Sequence, residues 1–514
     1  MKTKFVLKKS LVAVMVAAAF GSAHAVKLED SVSKAVLTNP DVLAKWHQFS
    51  ASGSERDVSR GRYLPTLDYI FGVGDERKSS PIINPASSYS IESQKITLRQ
   101  NLFEGLATRN DVARLEHAQL VRFYELLDIS ETAAVEAAKA YIDAYRFRKL
   151  LEMAEENYAT HRLVFDKINA RAKSGVGRGV DLEMAAARLA LAESNLLTEA
   201  SNLHDVSARY QRIVGEPPKG ELDPPSAQLA KSLPKTRQEA ITNGFENSPQ
   251  LKAAVENILS AQRNVDVQRG GYSPRVDLYA ESARDKNASG LLGQTNTSTV
   301  GLTVSWNLFR GLQDSARVDK AAAEAMAAKD VRERVCRDLR QNLSMAYNDH
   351  LRLNEQLPFL DQHQLSTDKA REALRKQFDI GQRSLLDVLD TENEYYTARR
   401  NYLNGEMDDA IAQVKYFASA GSLLKTLKLK HLDAEPPKPE TALDGDAVSH
   451  CPPEPAPYPE FDKNAVFNRA KAKEDLLRSS ATQAAEKADA AALSATPTPR
   501  SVPRDPPKTQ KKKP

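Results

Sequence analysis

Residues able to do covalent or metal chemistry are thinly spread through this chain of 514 residues. Its nine histidines and two cysteines, Cys336 and Cys451, show none of the spacings that hold zinc or iron. No nucleophile motif is present, and the glycine run from Gly175 to Gly179 does not follow a strand, which makes it a poor phosphate cradle. These features argue against an enzyme and give no reason to expect a cofactor. The charged residues that stand out are of another kind. Asp387 and Asp390 lie three apart, on one face of any helix that contains them.

The elements that must position these charges are long and polar. Charged residues make up 27% of the chain and aromatic residues 6%, a balance suited to solvated helices rather than a thick globular core. The formal charge of +4 comes from Lys2, Lys4, Lys8 and Lys9; without the first 25 residues the chain holds 68 basic and 68 acidic residues. That neutrality gives no reason to expect a nucleic-acid partner. Residues 1–25 have the form of an export signal: basic residues, an apolar run over 11–20, then Ala23-His24-Ala25 as a cleavage site before Val26. The run is short for a retained membrane anchor, the competing reading. No cysteine follows the cleavage site to carry a lipid, and no later segment has the length of a transmembrane helix. A membrane-spanning form must therefore use strands.

The sequence is written twice. Asn39-Pro40 matches Ser248-Pro249, and Tyr63-Leu64-Pro65 matches Tyr272-Ser273-Pro274, both 209 residues on. Asn101-Leu102-Phe103-Glu104-Gly105 then recurs 206 residues on as Asn307-Leu308-Phe309-Arg310-Gly311, as do Gly175 as Gly381 and Asp181 as Asp387. A single change of offset places one indel in a Gly-, Ser- and Asn-rich loop. The repeats are expected over 26–236 and 237–431, each opening with a helix (28–61 and 237–271). Two strands of alternating character follow. Leu67, Tyr69, Phe71 and Val73 oppose Thr66 and Asp68, and Val300, Leu302, Val304 and Trp306 oppose Gly301, Thr303 and Ser305. A long helix comes next, since no proline interrupts the chain between Pro85 and Pro217. It breaks at the glycine run, or at Gly381 in the second repeat, and Pro358 is expected to kink the second copy.

Such strands fit either a half-buried soluble hairpin or a membrane wall. In hydrocarbon, four strands cannot close on themselves, and the smallest membrane barrels use about eight. A membrane reading thus requires several chains to share one barrel. A periplasmic coiled-coil adaptor, the competing class, needs the helices but gives no reason for two matched hairpins.

Over residues 26–425 the chain resembles the TolC family of outer-membrane channel proteins. The motifs that carry the resemblance are Asn101–Gly105, Asn307–Gly311 and the run Phe378-Asp-Ile-Gly-Gln-Arg-Ser-Leu-Leu-Asp-Val-Leu-Asp390. It implies a mixed α and β membrane protein: a homotrimer with a twelve-stranded β-barrel in outer-membrane lipid, four strands per chain, continuous with a long α-helical barrel in the periplasm. Implied partners are a periplasmic membrane-fusion adaptor and an inner-membrane pump. The resemblance further implies a gate at the periplasmic tip, with Asp181 and Arg383 as a restraining pair. Phe378 stands where a Tyr hydroxyl would join that network, so a looser closed state is expected. Asp387 and Asp390, repeated by threefold symmetry, would ring the lumen with six carboxylates that favour cations. Asp181 and Met184 hold the equivalent places in the first repeat.

Residues 432–514 differ in kind, holding 14 of the 26 prolines. They are expected to be largely disordered, with one helix near 464–492. Cys336 lies 27 residues beyond Phe309, roughly 40 Å along a helix, and the returning helix could bring the tail to a similar height. In an oxidising compartment a Cys336–Cys451 disulfide is one outcome; a buried thiol and a free tail thiol are the other. Two cargo classes remain. Type I protein secretion through an ABC transporter is favoured by the resemblance of the Leu385–Asp390 segment and the Cys-Pro tail to secretion-associated members. Multidrug efflux through a proton-driven RND pump is the alternative.

Overall fold

The computed structural model describes residues 25–79, 81, 87–225, 228–288, 292–437, 451–452, 454 and 462–494. Apart from Ala25, the expected export signal lies outside the described residues, as does much of the tail expected to be disordered. The chain divides into two compact units, Met1–Pro455 and Ala456–Pro514.

In the first unit the opening helix of each repeat is split in two. Helices α1 (Leu28–Thr38) and α2 (Pro40–Gly61) break at Asn39, whose side chain accepts the amide N–H of Asp41 at 2.8 Å. The split replaces the single helix expected over 28–61, and its cause is proline. Proline pushes the residue before it to an extended conformation and is itself well suited to begin the next helix. Strands β1 (Thr66–Lys78) and β2 (Ser87–Phe103) follow, then α3 (Ala107–Lys173), α4 (Gly179–Val214) and the short α5 (Gln228–Lys231).

The second repeat retraces this order. Helices α6 (Arg237–Asn247) and α7 (Pro249–Arg269) break at Ser248-Pro249, and a 3-10 turn (Gly270–Tyr272) leads into β3 (Arg275–Lys286) and β4 (Gln294–Ser305). Helices α8 (Gln313–Asp379), α9 (Leu385–Ser419) and α10 (Leu423–Thr426) complete it. Both α3 and α8 contain 67 residues, about 100 Å of helix each. Helix α8 runs on through Pro358 as one element. The backbone bond lost there is offset by packing: Gly405 of α9 has no side chain, which lets α9 lie closely against Leu357 and Leu360.

The four strands form one antiparallel sheet in the order β1-β2-β3-β4. Thr66 faces Arg99 in the first hairpin and Arg275 faces Ser305 in the second, which are equivalent pairs in the two repeats. The main core lies among α1, α3, α6, α8 and α9, around Val32, Tyr141, Ile142, Leu343 and Val414. Burying such a side chain stabilises by about 1.5–3 kcal/mol. The equivalent tyrosines Tyr141 and Tyr347 donate their hydroxyls to Asp223 O (2.8 Å) and Pro234 O (2.9 Å), tying the segment that joins the two repeats to both long helices. In the second unit, α11 spans Lys463–Ser494.

Candidate functional site

The sheet offers two unlike faces. Opposed pairs Leu67–Leu98 and Tyr69–Ile96, and then Val276–Val304 and Leu278–Leu302, place apolar side chains on one side. Those of β1 and β4 are bare, with Leu67 69% and Val304 67% exposed. In water each forgoes about 1.5–3 kcal/mol of burial, whereas hydrocarbon covers them at no such cost. The other side is wet: Lys95 pairs with Glu281 at 2.6 Å, Asn101 donates to Asp277 at 3.0 Å, and Arg275 pairs with Asp277 at 2.8 Å. Strands β1 and β4 are the sheet's two edges.

The second strand of each hairpin, β2 or β4, enters its long helix through the repeated turn. Gly105-Leu106 and Gly311-Leu312 all have positive φ, between 60° and 65°. Two successive left-handed residues reverse the chain tightly, which explains glycine at the first position.

At the far ends both helices stop in the same way. Val176 N–H donates to Arg171 O and Gly175 N–H to Ala172 O; Gln382 N–H donates to Gln377 O and Gly381 N–H to Phe378 O. These are paired Schellman caps, with Gly175 and Gly381 left-handed at φ 76° and 78°. A small apolar cluster binds the four helix ends together: Ile168, Ala185, Leu385 and Leu389, with Val164, Phe165, Leu182 and Phe378 against it.

The residues singled out at this tip are placed as follows. Asp181 lies in the first turn of α4, and Arg383 is exposed and donates from Nε to Gln377 Oε1 at 3.1 Å. Among the described residues no hydrogen bond or ion pair joins Asp181 to Arg383 within the chain. Phe378 is half-buried in the apolar cluster, with the Arg171 guanidinium 5.9 Å from its ring centre.

Asp387 and Asp390 both have partners within the chain. Asp387 closes a capping box at the start of α9: Ser384 Oγ accepts its N–H, and its carboxylate accepts the N–H of Ser384, both at 3.2 Å. Asp390 forms a salt bridge with Arg188 of α4. Burial first, and then the charge of Arg188, hold the nearby His161 imidazole below its ordinary pKa.

Arg188 is a residue that sequence reasoning missed, because its partner lies 202 positions away. The same is true of the buried carboxylates Glu199, paired with Arg400, and Glu392, paired with Arg371 and Arg375. Cys336 and Cys451 are joined in the structure with Cα atoms 5.7 Å apart, and Trp46 Nε1 donates to Asp433 O at 3.1 Å. Among the described residues no group of three or more His, Cys, Asp or Glu is placed to hold a metal ion.

The family model described as "Outer membrane efflux protein" matches residues 31–216 and 241–422. The outer membrane efflux protein BepC of Brucella suis is 25% identical over 368 residues, covering 71% of this chain and 79% of its own. The proteases secretion protein PrtF of Dickeya chrysanthemi is 23% identical over 419 residues, covering 76% and 87%. Among solved structures, the outer-membrane channel OprN superposes with a TM-score of 0.68 at 19% identity, over 77% of this chain and 89% of that one.

Proposed function

Because the chain belongs to the outer membrane efflux protein family, whose members are outer-membrane channels rather than enzymes, we propose that it is the exit duct of a type I protein secretion system. Three copies supply twelve strands to one closed barrel in outer-membrane lipid, and the long helices carry its wall into the periplasm. The observation that carries this reading is the sheet: four strands with one exposed apolar face and two free edges, running directly into 67-residue helices. In hydrocarbon such edges require neighbours of the same kind.

The duct is passive. A periplasmic membrane-fusion adaptor and an inner-membrane ABC transporter engage its tip and open it. The restraint assigned to Asp181 and Arg383 acts between subunits, since the two do not meet in one chain. Asp387 and Asp390 remain as lumen charges, with Asp390 partly neutralised by Arg188.

Protein cargo is supported by similarity to the protease secretion protein of Dickeya chrysanthemi. Similarity to the Brucella suis efflux protein favours a second reading, the outer-membrane component of a multidrug efflux pump fed by an RND transporter. Deleting the gene and restoring it on a plasmid separates the two. Loss of specific proteins from the medium or cell surface, with drug inhibitory concentrations unchanged, supports secretion. Drug sensitivity with an intact secreted set selects efflux instead. If neither changes, both readings fall.

A further inference from the structure

The apolar face of the sheet turns polar before the strands end. Opposed residues share a face, so the ladders define its rows. Leu67, Leu98, Ala280 and Val300 form one row, and Tyr69, Ile96, Ser282 and Ser298 the next. Beyond them come Phe71, Gln94, Arg284 and Asn296, then Val73, Glu92, Lys286 and Gln294. Apolar residues persist furthest along β1 and stop soonest along β3 and β4, the slanted boundary that tilted strands require. This is the end of the sheet remote from the long helices, where loops join β1 to β2 and β3 to β4.

The height of this polar zone follows from β4. Trp306, at the helix end of the apolar face, is exposed. Ten residues lie between it and the level of Asn296, about 34 Å of strand or about 26 Å of height at a tilt of 35–45°. The apolar band of an outer-membrane barrel is about 25 Å tall. With Trp306 at the inner edge of the hydrocarbon, Arg284, opposite Asn296, stands at the outer edge and Lys286 one row beyond. At that level Glu92, Gln94, Arg284, Lys286, Gly293 and Gln294 line a cavity of about 250 Å³. Gln94 Nε2 donates to Glu92 Oε1 at 2.9 Å, and Arg284 Nη2 donates to Gln294 Oε1 at 2.8 Å. Both cations are exposed, and among the described residues neither forms an ion pair. The rim is held by Asn287, whose side chain accepts the N–H of Gly293 at 2.9 Å and donates to Ser90 O at 2.8 Å. Gly293 has φ 116°, a conformation that disfavours any side chain and so keeps the mouth open.

We propose that this cavity on the lipid-facing wall binds a phosphorylated sugar headgroup of outer-leaflet lipopolysaccharide. Arg284 and Lys286 meet the phosphate, and Glu92, Gln94 and Gln294 hydrogen-bond the sugar hydroxyls. Two cations without partners, placed where hydrocarbon gives way to headgroups, suit an anionic lipid. The amide and carboxylate groups beside them suit hydroxyls, which a sugar has in number. The acyl chains of the same lipid would lie along the apolar rows below, against Ile96, Val300 and Leu302. The site deepens the outer-membrane channel reading and rests on it.

Native mass spectrometry of the full-length protein in mild detergent tests the site. The probes are bis-phosphorylated lipid A, its dephosphorylated form, phosphatidylglycerol and inorganic phosphate. Wild type should retain bis-phosphorylated lipid A in preference to the other three. Arg284→Gln with Lys286→Gln should weaken that binding about thirtyfold, the effect of two cations beside an anionic headgroup. Lys95→Gln with Arg99→Gln removes the same charge from the wet face of the sheet and should leave binding unchanged. Equal binding by wild type and the Arg284/Lys286 variant, or an equal loss in the wet-face variant, would overturn the site. Phosphatidylglycerol retained as well as lipid A would overturn the glycolipid assignment, as would displacement of lipid A by equimolar inorganic phosphate. Each of these results leaves the channel reading standing wherever wild type still conducts in planar bilayers. A wild-type protein that does not conduct would overturn that reading, and the lipid site with it.

Discussion

Glu131→Gln should abolish a pH dependence of stability that resides in one buried carboxyl of α3. Glu131 is 2% exposed and accepts the N–H groups of Leu423 (3.0 Å) and Leu424 (3.4 Å), so it anchors α10 against the long helix. Burial pushes its pKa from the ordinary 4.5 up to about 8, and the charge of Asp128 adds to the rise, while the two backbone hydrogen bonds oppose it. A carboxyl whose pKa is raised on folding keeps its proton longer in the native state. Its contribution is therefore complete below the unfolded value near 4.5 and is lost as pH climbs through about 8. Between pH 5 and pH 8 the loss integrates to about 3 kcal/mol. Glutamine keeps an accepting carbonyl and does not titrate, so the variant should shed that penalty. Urea unfolding of detergent-extracted protein would be followed by helix signal and by emission of Trp46, whose indole bonds to the segment just after α10. Wild type should weaken by about 3 kcal/mol relative to the variant on going from pH 5 to pH 8. Parallel pH profiles for the two proteins would refute the assignment of a protonated, buried Glu131.

Other perturbations read the tip and the tail. Arg188→Ala releases Asp390 from its salt bridge and should raise cation over anion permeability in planar bilayers; unaltered reversal potentials would remove Asp390 from the lumen. Asp181→Ala and Arg383→Ala should each raise single-channel conductance, and unchanged conductance in both would dispose of the inter-subunit restraint. Cys451→Ser opens a loop with a sequence separation of 115, a link that constrains the unfolded chain by up to about 5 kcal/mol. Lower denaturation midpoints and faster proteolysis near Pro452 are expected; wild-type protein in which both thiols alkylate without reductant would show that the link does not form.

The parts of this molecule that repeat were readable from residues alone. Period-two alternation around Tyr69 and Val304 marks strands, and the two Asn-Leu-Phe-x-Gly turns mark where strands become helices. The break at Asn39-Pro40 carried a local signal as well, since a residue before proline resists the helix. So did the Ser384-x-x-Asp387 capping box, which braces the start of α9 with one of the two candidate lumen carboxylates. The Arg188–Asp390, Arg400–Glu199 and Arg371–Glu392 pairs had no local signature. Each joins positions brought together by the folding back of long helices, so helical spacing within a segment says nothing of it. Phe378 shows the same limit: only the fold reveals the apolar neighbours it packs against.

The equal length of α3 and α8 acts as a gauge. With 67 residues in each, both hairpin turns come level at the same depth, so whatever docks there meets a flush rim rather than alternating long and short fingers. Removing two turns from one helix alone would step the rim by about 11 Å at every other finger. Removing them from both, with matched cuts in α4 and α9, would leave a level but shorter duct. The two genotypes separate a demand for reach across the periplasm from a demand for an even mating surface.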